Sequence, residues 1–188
     1  MNYRIMLDET ISRLEGERPG LLLHACCAPC ASYCLEYLTK YFDVTVFYFN
    51  PNIMPREEYD RRLEQFEKLR IFDFRLIEGE YSQADYLDAV RGREEDREGG
   101  ARCELCFRMR LEKTAELAAG RYEWFATTLT VSPHKNADVI NGIGAGLAEK
   151  YAVKWLYSDF KKRDGYKRSI QLCSELGIYR QNYCGCRL

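Results

Sequence analysis

Short apolar runs alternate with longer amphipathic stretches along the whole chain, and this alternation predicts its elements. Residues 21–25, 44–50, 74–77, 124–130 and 153–157 are rich in β-branched, aromatic and leucine side chains and read as strands. Residues 2–15, 31–40, 56–69, 82–90, 103–119, 137–150 and 166–176 carry apolar positions at helical spacing. Pro19-Gly20 closes the first helix, Ser82 is placed to cap the fourth with Asp85 three positions on, and Gly120 stands where the fifth should end. Strand followed by helix, repeated, predicts an α/β fold: an open, mostly parallel five-stranded sheet with helices on both faces, Rossmann-like or HUP-like. No repeat or low-complexity linker divides the chain. The expectation is therefore one domain over residues 1–188, with a lead-in helix in 1–20 and a tail in 177–188.

Composition changes this picture little until the cysteines are counted. A chain of 188 residues, 46% hydrophobic and 30% charged, has the size and balance of an ordinary globular domain. No leader-like apolar stretch opens it and no run approaches the roughly 18 apolar residues of a membrane span, so a cytoplasmic location without membrane contact is expected. A net charge of −1 argues against indiscriminate nucleic-acid binding, while leaving room for a local basic surface. Nine cysteines are many for such a chain, and the odd count does not suit a secreted disulfide scaffold. In a reducing compartment they point to metal binding or redox chemistry.

In open α/β sheets the ligand site lies beyond the carboxyl ends of the strands. The segments expected to meet there are HACCAPC, FNPNIMP, the loop leading into RCELC, TVSPHKN and SDFKKRDG. Cys103 and Cys106 share one face of a helix start, where the macrodipole favours thiolates. Cys26 and Cys27 are consecutive and can face one centre only if the strand breaks there, as Ala28-Pro29 suggests. Together these are four thiolates, enough for zinc or a 4Fe-4S cluster. Cys27-Ala-Pro-Cys30 also has the spacing of a thioredoxin-like exchanger. Cys184-Gly185-Cys186 is either a reversible, strained dithiol or a further ligand pair. Cys34 and Cys173 read as core residues. His24, two residues before Cys26, shares its side of the strand and reads equally as an orienting hydrogen-bond partner. The run GREEDREGG, residues 92–100, reads as a solvated, mobile surface loop. The first strand is followed by HACCAPC in place of a Gly/Ser-rich phosphate loop, so no nucleotide cofactor is expected.

The strings HACCAPC, YFNPNIMPREEYDRR, CELCFRMRL, ATTLTVSPHKN, YSDFKKRDGYKRS and YRQNYCGC, in that order, resemble the QueH family of epoxyqueuosine reductases from about His24 to Cys186. The resemblance implies an iron-sulfur oxidoreductase acting on transfer RNA in the last step of queuosine synthesis. Such an enzyme removes the epoxide oxygen of epoxyqueuosine at the wobble position and leaves an alkene. It also implies a 4Fe-4S cluster on Cys26, Cys27, Cys103 and Cys106, a redox-active disulfide between Cys184 and Cys186, and an additional mononuclear iron beside the cluster.

The reaction needs two electrons and two protons, and an external electron donor whose identity the sequence does not give. A cluster passing single electrons would profit from a second store such as a dithiol. Candidate proton donors are His134, Asp159 and Tyr183. Lys135, Lys161, Lys162 and Arg163 are candidate contacts to RNA, joined around the rim by Arg56, Arg61, Arg62, Lys167 and Arg168. Tyr48, Phe49 and Tyr59 are candidates to stack an unpaired base. Two rival readings remain at this stage: a thioredoxin-like thiol-disulfide oxidoreductase, and a zinc-stabilised RNA-binding module.

Overall fold

The structure, a computed structural model, describes residues 1–186. Five strands form a single parallel sheet: β1 (Gly20–His24), β2 (Asp43–Tyr48), β3 (Phe74–Glu78), β4 (Trp124–Thr127) and β5 (Lys154–Trp155), in the order β3-β2-β1-β4-β5. From β1 the chain steps outward through β2 to β3 and then returns to lay β4 on the other side of β1. The direction of winding thus reverses between β1 and β4, and that reversal opens a crevice at their carboxyl ends. The loops after these two strands carry HACCAPC and TVSPHKN.

The helices are α1 (Tyr3–Ser12), α2 (Ala28–Leu38), α3 (Arg56–Glu64), α4 (Gln83–Ala89), α5 (Ala101–Ala118), α6 (Ala137–Tyr151) and α7 (Gly165–Glu175). Side chains alternate across each strand, so one run of apolar residues feeds two cores. Leu21, Leu23, Val44, Val46 and Ala126 pack with α1, α2 and α7 on one face, while Leu22, Phe47 and Phe125 pack with α5 and α6 on the other. As expected, Cys34 and Cys173 are buried on the first of these faces. Ser82 caps α4 by accepting from the Asp85 N–H, and Gly120 takes a left-handed φ of 69° just past α5. Among the described residues no helix is long and apolar enough to cross a membrane.

Four departures from the sequence pattern matter for the site. The stretch expected as one strand over 124–130 is extended only to Thr127 and then tightens into a 3₁₀ turn, Thr128–Val131. Its threonines find better partners as a turn: Thr127 accepts from the Leu129 N–H, Thr128 from the Cys26 N–H, and Thr130 meets Ser158. The expected strand over 44–50 stops at Tyr48, and that over 153–157 keeps only two residues in the sheet. The helix expected over 56–69 passes at Gln65 into a 3₁₀ segment, Gln65–Leu69. Residues 187–188 of the tail lie outside the described residues.

Candidate redox and metal site

The site begins where β1 stops. Ala25 still donates to Phe47 O at 3.0 Å, but the Cys26 N–H turns away to Thr128 Oγ1 at 3.3 Å, which breaks the strand. Cys27 is extended and caps α2, with a proline in the first helical turn. The break lets two consecutive thiols face one centre, their Sγ atoms 3.7 Å apart. Cys30, one turn into α2, brings its sulfur to the same place, and all three lie within 4.8 Å of one another.

From the opposite face, α5 presents Cys103 and Cys106, both buried. Loop 92–100, expected to be solvated and mobile, is exposed but folded against the start of α5. Arg102 N donates to Asp96, its guanidinium donates to Glu94 O, and Gly99 N points at Cys103 Sγ at 3.2 Å.

One turn beyond Cys106 stands Arg110, 1% exposed. Its Nε donates to Cys106 O at 3.2 Å and its Nη1 to Asn50 Oδ1 at 3.4 Å, while the buried Nη2 has no partner. Asn50 in turn donates to Ala25 O at 2.9 Å. A guanidinium with an orphaned nitrogen, buried among cysteines, is costly unless negative charge sits beside it.

The tail completes the enclosure. Arg62 on α3, 3% exposed, is ion-paired with Glu58 at 2.7 Å and donates to Cys184 O at 2.8 Å and Tyr183 O at 3.4 Å. Met54 N donates to Gly185 O at 2.9 Å. These bonds hold Cys184 over a cavity of about 470 Å³ lined by Cys26, Cys27, Cys30, Arg62, Arg110 and Lys135 among others. A second, much smaller void of about 10 Å³ adjoins it, lined by Cys103, Cys106, Cys184 and Cys186 among others. Glu98, Arg110, His134, Lys135 and Cys184 border both.

Electrostatics divide the thiols into unequal partners. Hydrogen bonds from Cys27 and Cys30 hold Cys26 well below the usual thiol range against its burial, and Lys135 and Arg110 add to this. Cys27 is pushed up to about 12 by its bond to Cys26, and Cys30 also rises through its bonds to both. In the tail, Cys186 holds Cys184 down to about 6, helped against burial by Lys135 and Arg110, while Cys186 rises. Burial lifts Cys106 to about 11. The Cys26 group and the tail pair thus each set one sulfur held toward thiolate beside neighbours that keep their protons.

A family model described as "Epoxyqueuosine reductase QueH" matches residues 21–188. The chain belongs to the QueH family. Proteins named "Epoxyqueuosine reductase QueH" from Staphylococcus epidermidis and Streptococcus pyogenes serotype M1 are 45% and 43% identical to it, over 99% and 98% of this chain and 83% and 78% of theirs. The QueH protein of that name from Thermotoga maritima is 42% identical over 88% of both chains.

The structure brings a further thiol, Cys30, to the ligand set that the sequence resemblance implied. Cys26 and Cys27 do converge, but the compact group they form is with Cys30, not with Cys103 and Cys106. The latter pair lines the adjoining void with Cys184 and Cys186. The donor chemistry suits a metal or iron-sulfur group: free thiols on two connected cavities and two cations, Arg110 and Lys135, to balance thiolate charge. Cys27, 2% exposed and with its thiol raised, is a poor nucleophile for thiol-disulfide exchange.

His24 is a core residue. Fully buried, it donates from Nε2 to Phe49 O at 3.2 Å, so Nδ1 accepts from the Thr127 hydroxyl at 2.9 Å. His134 is exposed and borders both cavities. Asp159 is not among the residues lining either cavity and stands within 2.9 Å of Lys161. Tyr48 and Tyr59 are wholly buried, their rings 4.8 Å apart in the core under α3, so neither offers a face to a base. Arg163 is committed to Asp8 and to the Tyr37 ring. Lys135 lines the cavity, as a contact for an anionic substrate or thiolate should. The sequence reading missed Arg110 and took Arg62 for a rim contact to RNA, whereas it is buried and holds the tail. Arg110 was visible as the residue four after Cys106, on the same helical face; the anchoring role of Arg62 had no comparable signal, since its partners lie in the tail.

Proposed function

We propose that this protein reduces the epoxide of epoxyqueuosine, at the wobble position of transfer RNA, to the alkene of queuosine. The observation that carries the reading is the meeting of three remote cysteine groups around the orphaned guanidinium of Arg110, in a chain of the QueH family. Cys26 and Cys27 with Cys103 and Cys106 are the residues to hold a 4Fe-4S cluster. Cys30 and Cys184 stand next to them for any additional iron. A bound cluster would supply single-electron transfer at a fixed potential.

The chain's own groups account for the balance of the reaction. Breaking both carbon–oxygen bonds of an epoxide to leave an alkene and water takes two electrons and two protons. Oxidation of Cys184 and Cys186 to a disulfide releases that amount, and an external two-electron donor restores the dithiol. Each sulfur gives up one electron and one proton as the S–S bond forms. His134, at the rim of both cavities, is placed to hand a proton to the departing oxygen. Arg110 and Lys135 hold the site's charge while electrons move. The cavity of about 470 Å³ is of the size that encloses a nucleoside-sized ligand.

The test is anaerobic incubation of iron-loaded protein with a strong reductant and transfer RNA carrying the epoxide, followed by mass analysis of the nucleosides. Loss of one oxygen atom from the modified nucleoside is expected. Unchanged nucleoside, from protein shown by analysis to hold iron and sulfide, would overturn the reading; zinc without sulfide would favour a structural metal site.

A further inference from the structure

With Tyr48 and Tyr59 sealed in the core, another ring must meet the unpaired base if RNA is the substrate, and the tail supplies one. Among the described residues, Tyr183 is the only aromatic side chain in the set of exposed large hydrophobics, at 44%. It lines the same cavity as Cys26, Cys27 and Cys30 and directly precedes Cys184, whose thiol borders both cavities.

Its setting is built. The Arg62 guanidinium lies 5.0 Å from the centre of the ring. Because Arg62 is 3% exposed and Tyr183 is not covered, the ring roofs the guanidinium and turns its remaining surface outward. Arg62 also holds the carbonyls of Tyr183 and Cys184, and Glu58 fixes Arg62 from behind. The ring is thus a platform with a cation beneath it and its backbone pinned on both sides. The other tyrosine of the rim, Tyr166, is half-buried and has Arg180 over its ring at 5.0 Å, which makes it the less open of the two.

We propose that Tyr183, presented by Arg62, is the surface on which the flipped-out, purine-like base of the RNA stacks, setting its substituent over Cys184 and the Cys26 group. The proposal deepens the functional reading and rests on it for the identity of the substrate. Base–aromatic stacking is worth about 1–3 kcal/mol per base, so loss of the ring should weaken binding by about ten- to a hundredfold.

The experiment uses reconstituted protein and an anticodon stem-loop RNA carrying the epoxide nucleoside, with Tyr183→Phe, Tyr183→Leu and Tyr183→Trp. Tyr183→Phe should keep KM and kcat within about twofold, because the ring and not the hydroxyl acts. Tyr183→Leu should raise KM and the dissociation constant about ten- to a hundredfold with kcat at saturation little changed. Tyr183→Trp should bind at least as tightly, and the fluorescence of its indole should be quenched by the RNA, a gain that a misfolded chain cannot mimic. Equal affinity for Leu and Phe, a fall in kcat for Phe at constant KM, or a Trp signal that RNA leaves unchanged would each overturn the platform. Affinity is read without turnover. A wild type that binds through Tyr183 yet leaves the epoxide intact would therefore refute the functional reading and leave this one standing.

Discussion

Asn50 accepts a hydrogen bond from Arg110 at 3.4 Å and gives one to the Ala25 carbonyl at 2.9 Å, so a single buried amide ties α5 to the end of β1. Arg110 is thereby fixed between the two sulfur groups with one nitrogen left over. Its charge is the feature that lets several thiolates coexist out of water. Replacing Arg110 by Met should weaken metal binding by about 10–100-fold, with Lys recovering part of the loss. Cobalt titration of the reduced, metal-free protein, followed by thiolate charge-transfer absorption, measures this directly. Equal affinities for wild type and Met would show that the charge is not used.

The Cys-Gly-Cys tail makes a second prediction. Gly185 has φ of 96°, and a β-carbon there would stand 3.1–3.3 Å from the Arg62 guanidinium. Gly185→Ala therefore combines left-handed strain of about 1–2 kcal/mol with pressure on the group that pins the tail. Cys186 is 6% exposed in the native arrangement. Its alkylation rate should rise several-fold in the variant while Cys34, deep in the other core, stays unreactive.

How much of this was legible beforehand depended on what each residue answers to. The strands, the helices and the meeting of HACCAPC with TVSPHKN follow from apolar periodicity and from the winding rule, both local or topological. Cys103, Cys106, Cys184 and Cys186 announced themselves by spacing. Cys30 announced itself too, but ambiguously, because a sulfur one helical turn after Cys27 serves a redox motif and a metal group equally well. Tyr48 and Tyr59 misled because an aromatic residue beside a motif loop looks the same in sequence whether it faces solvent or core. Burial decided it: Tyr48 and Tyr59 pack on each other, and Tyr48 on Phe66, a contact between segments apart in the chain.

His24 supplies a pH dependence. Burial, and then the nearby Arg110 charge, lower its pKa from 6.5 to about 3. The unfolded chain therefore takes up a proton between these values that the folded chain refuses. Stability is full above about pH 6.5 and declines as pH falls toward 3, by an amount on the order of a few kcal/mol. Denaturant unfolding of metal-free protein across that range should show the decline. Thr127→Val, which strips the Nδ1 partner, should cost about 1–3 kcal/mol at neutral pH, where the native ring is already neutral.

A variant that touches none of the sulfur groups' hydrogen bonds separates fold from function. Gly144 on α6 packs so tightly on Trp155 that an added β-carbon would fall 2.2–2.6 Å from the indole. Gly144→Ala should overpack this second core and cost about 1–3 kcal/mol, lowering the melting temperature by about 2–4 °C for each kcal/mol. Iron and sulfide content of the folded fraction should not change. A loss of metal in proportion to the loss of stability would mean that the site and this core, which share Cys103, fold as one unit.

The basic stretch after β5 is not uniform. Lys161 stands 2.9 Å from Asp159 and donates to Lys135 O, and Arg163 is engaged by Asp8 and lies over Tyr37. Lys162 is exposed and, among the described residues, takes part in no ion pair. A charge already answered within the protein gains less from a phosphate than one that is not, since the internal pair must be given up. If this face meets RNA, Lys162→Gln should lower affinity more than Lys161→Gln and reduce the slope of log affinity against log salt by about 0.7–0.9 for the one phosphate contact removed. Cluster absorbance should be the same in both variants. An unchanged salt slope for Lys162→Gln would place the RNA on another face of the molecule.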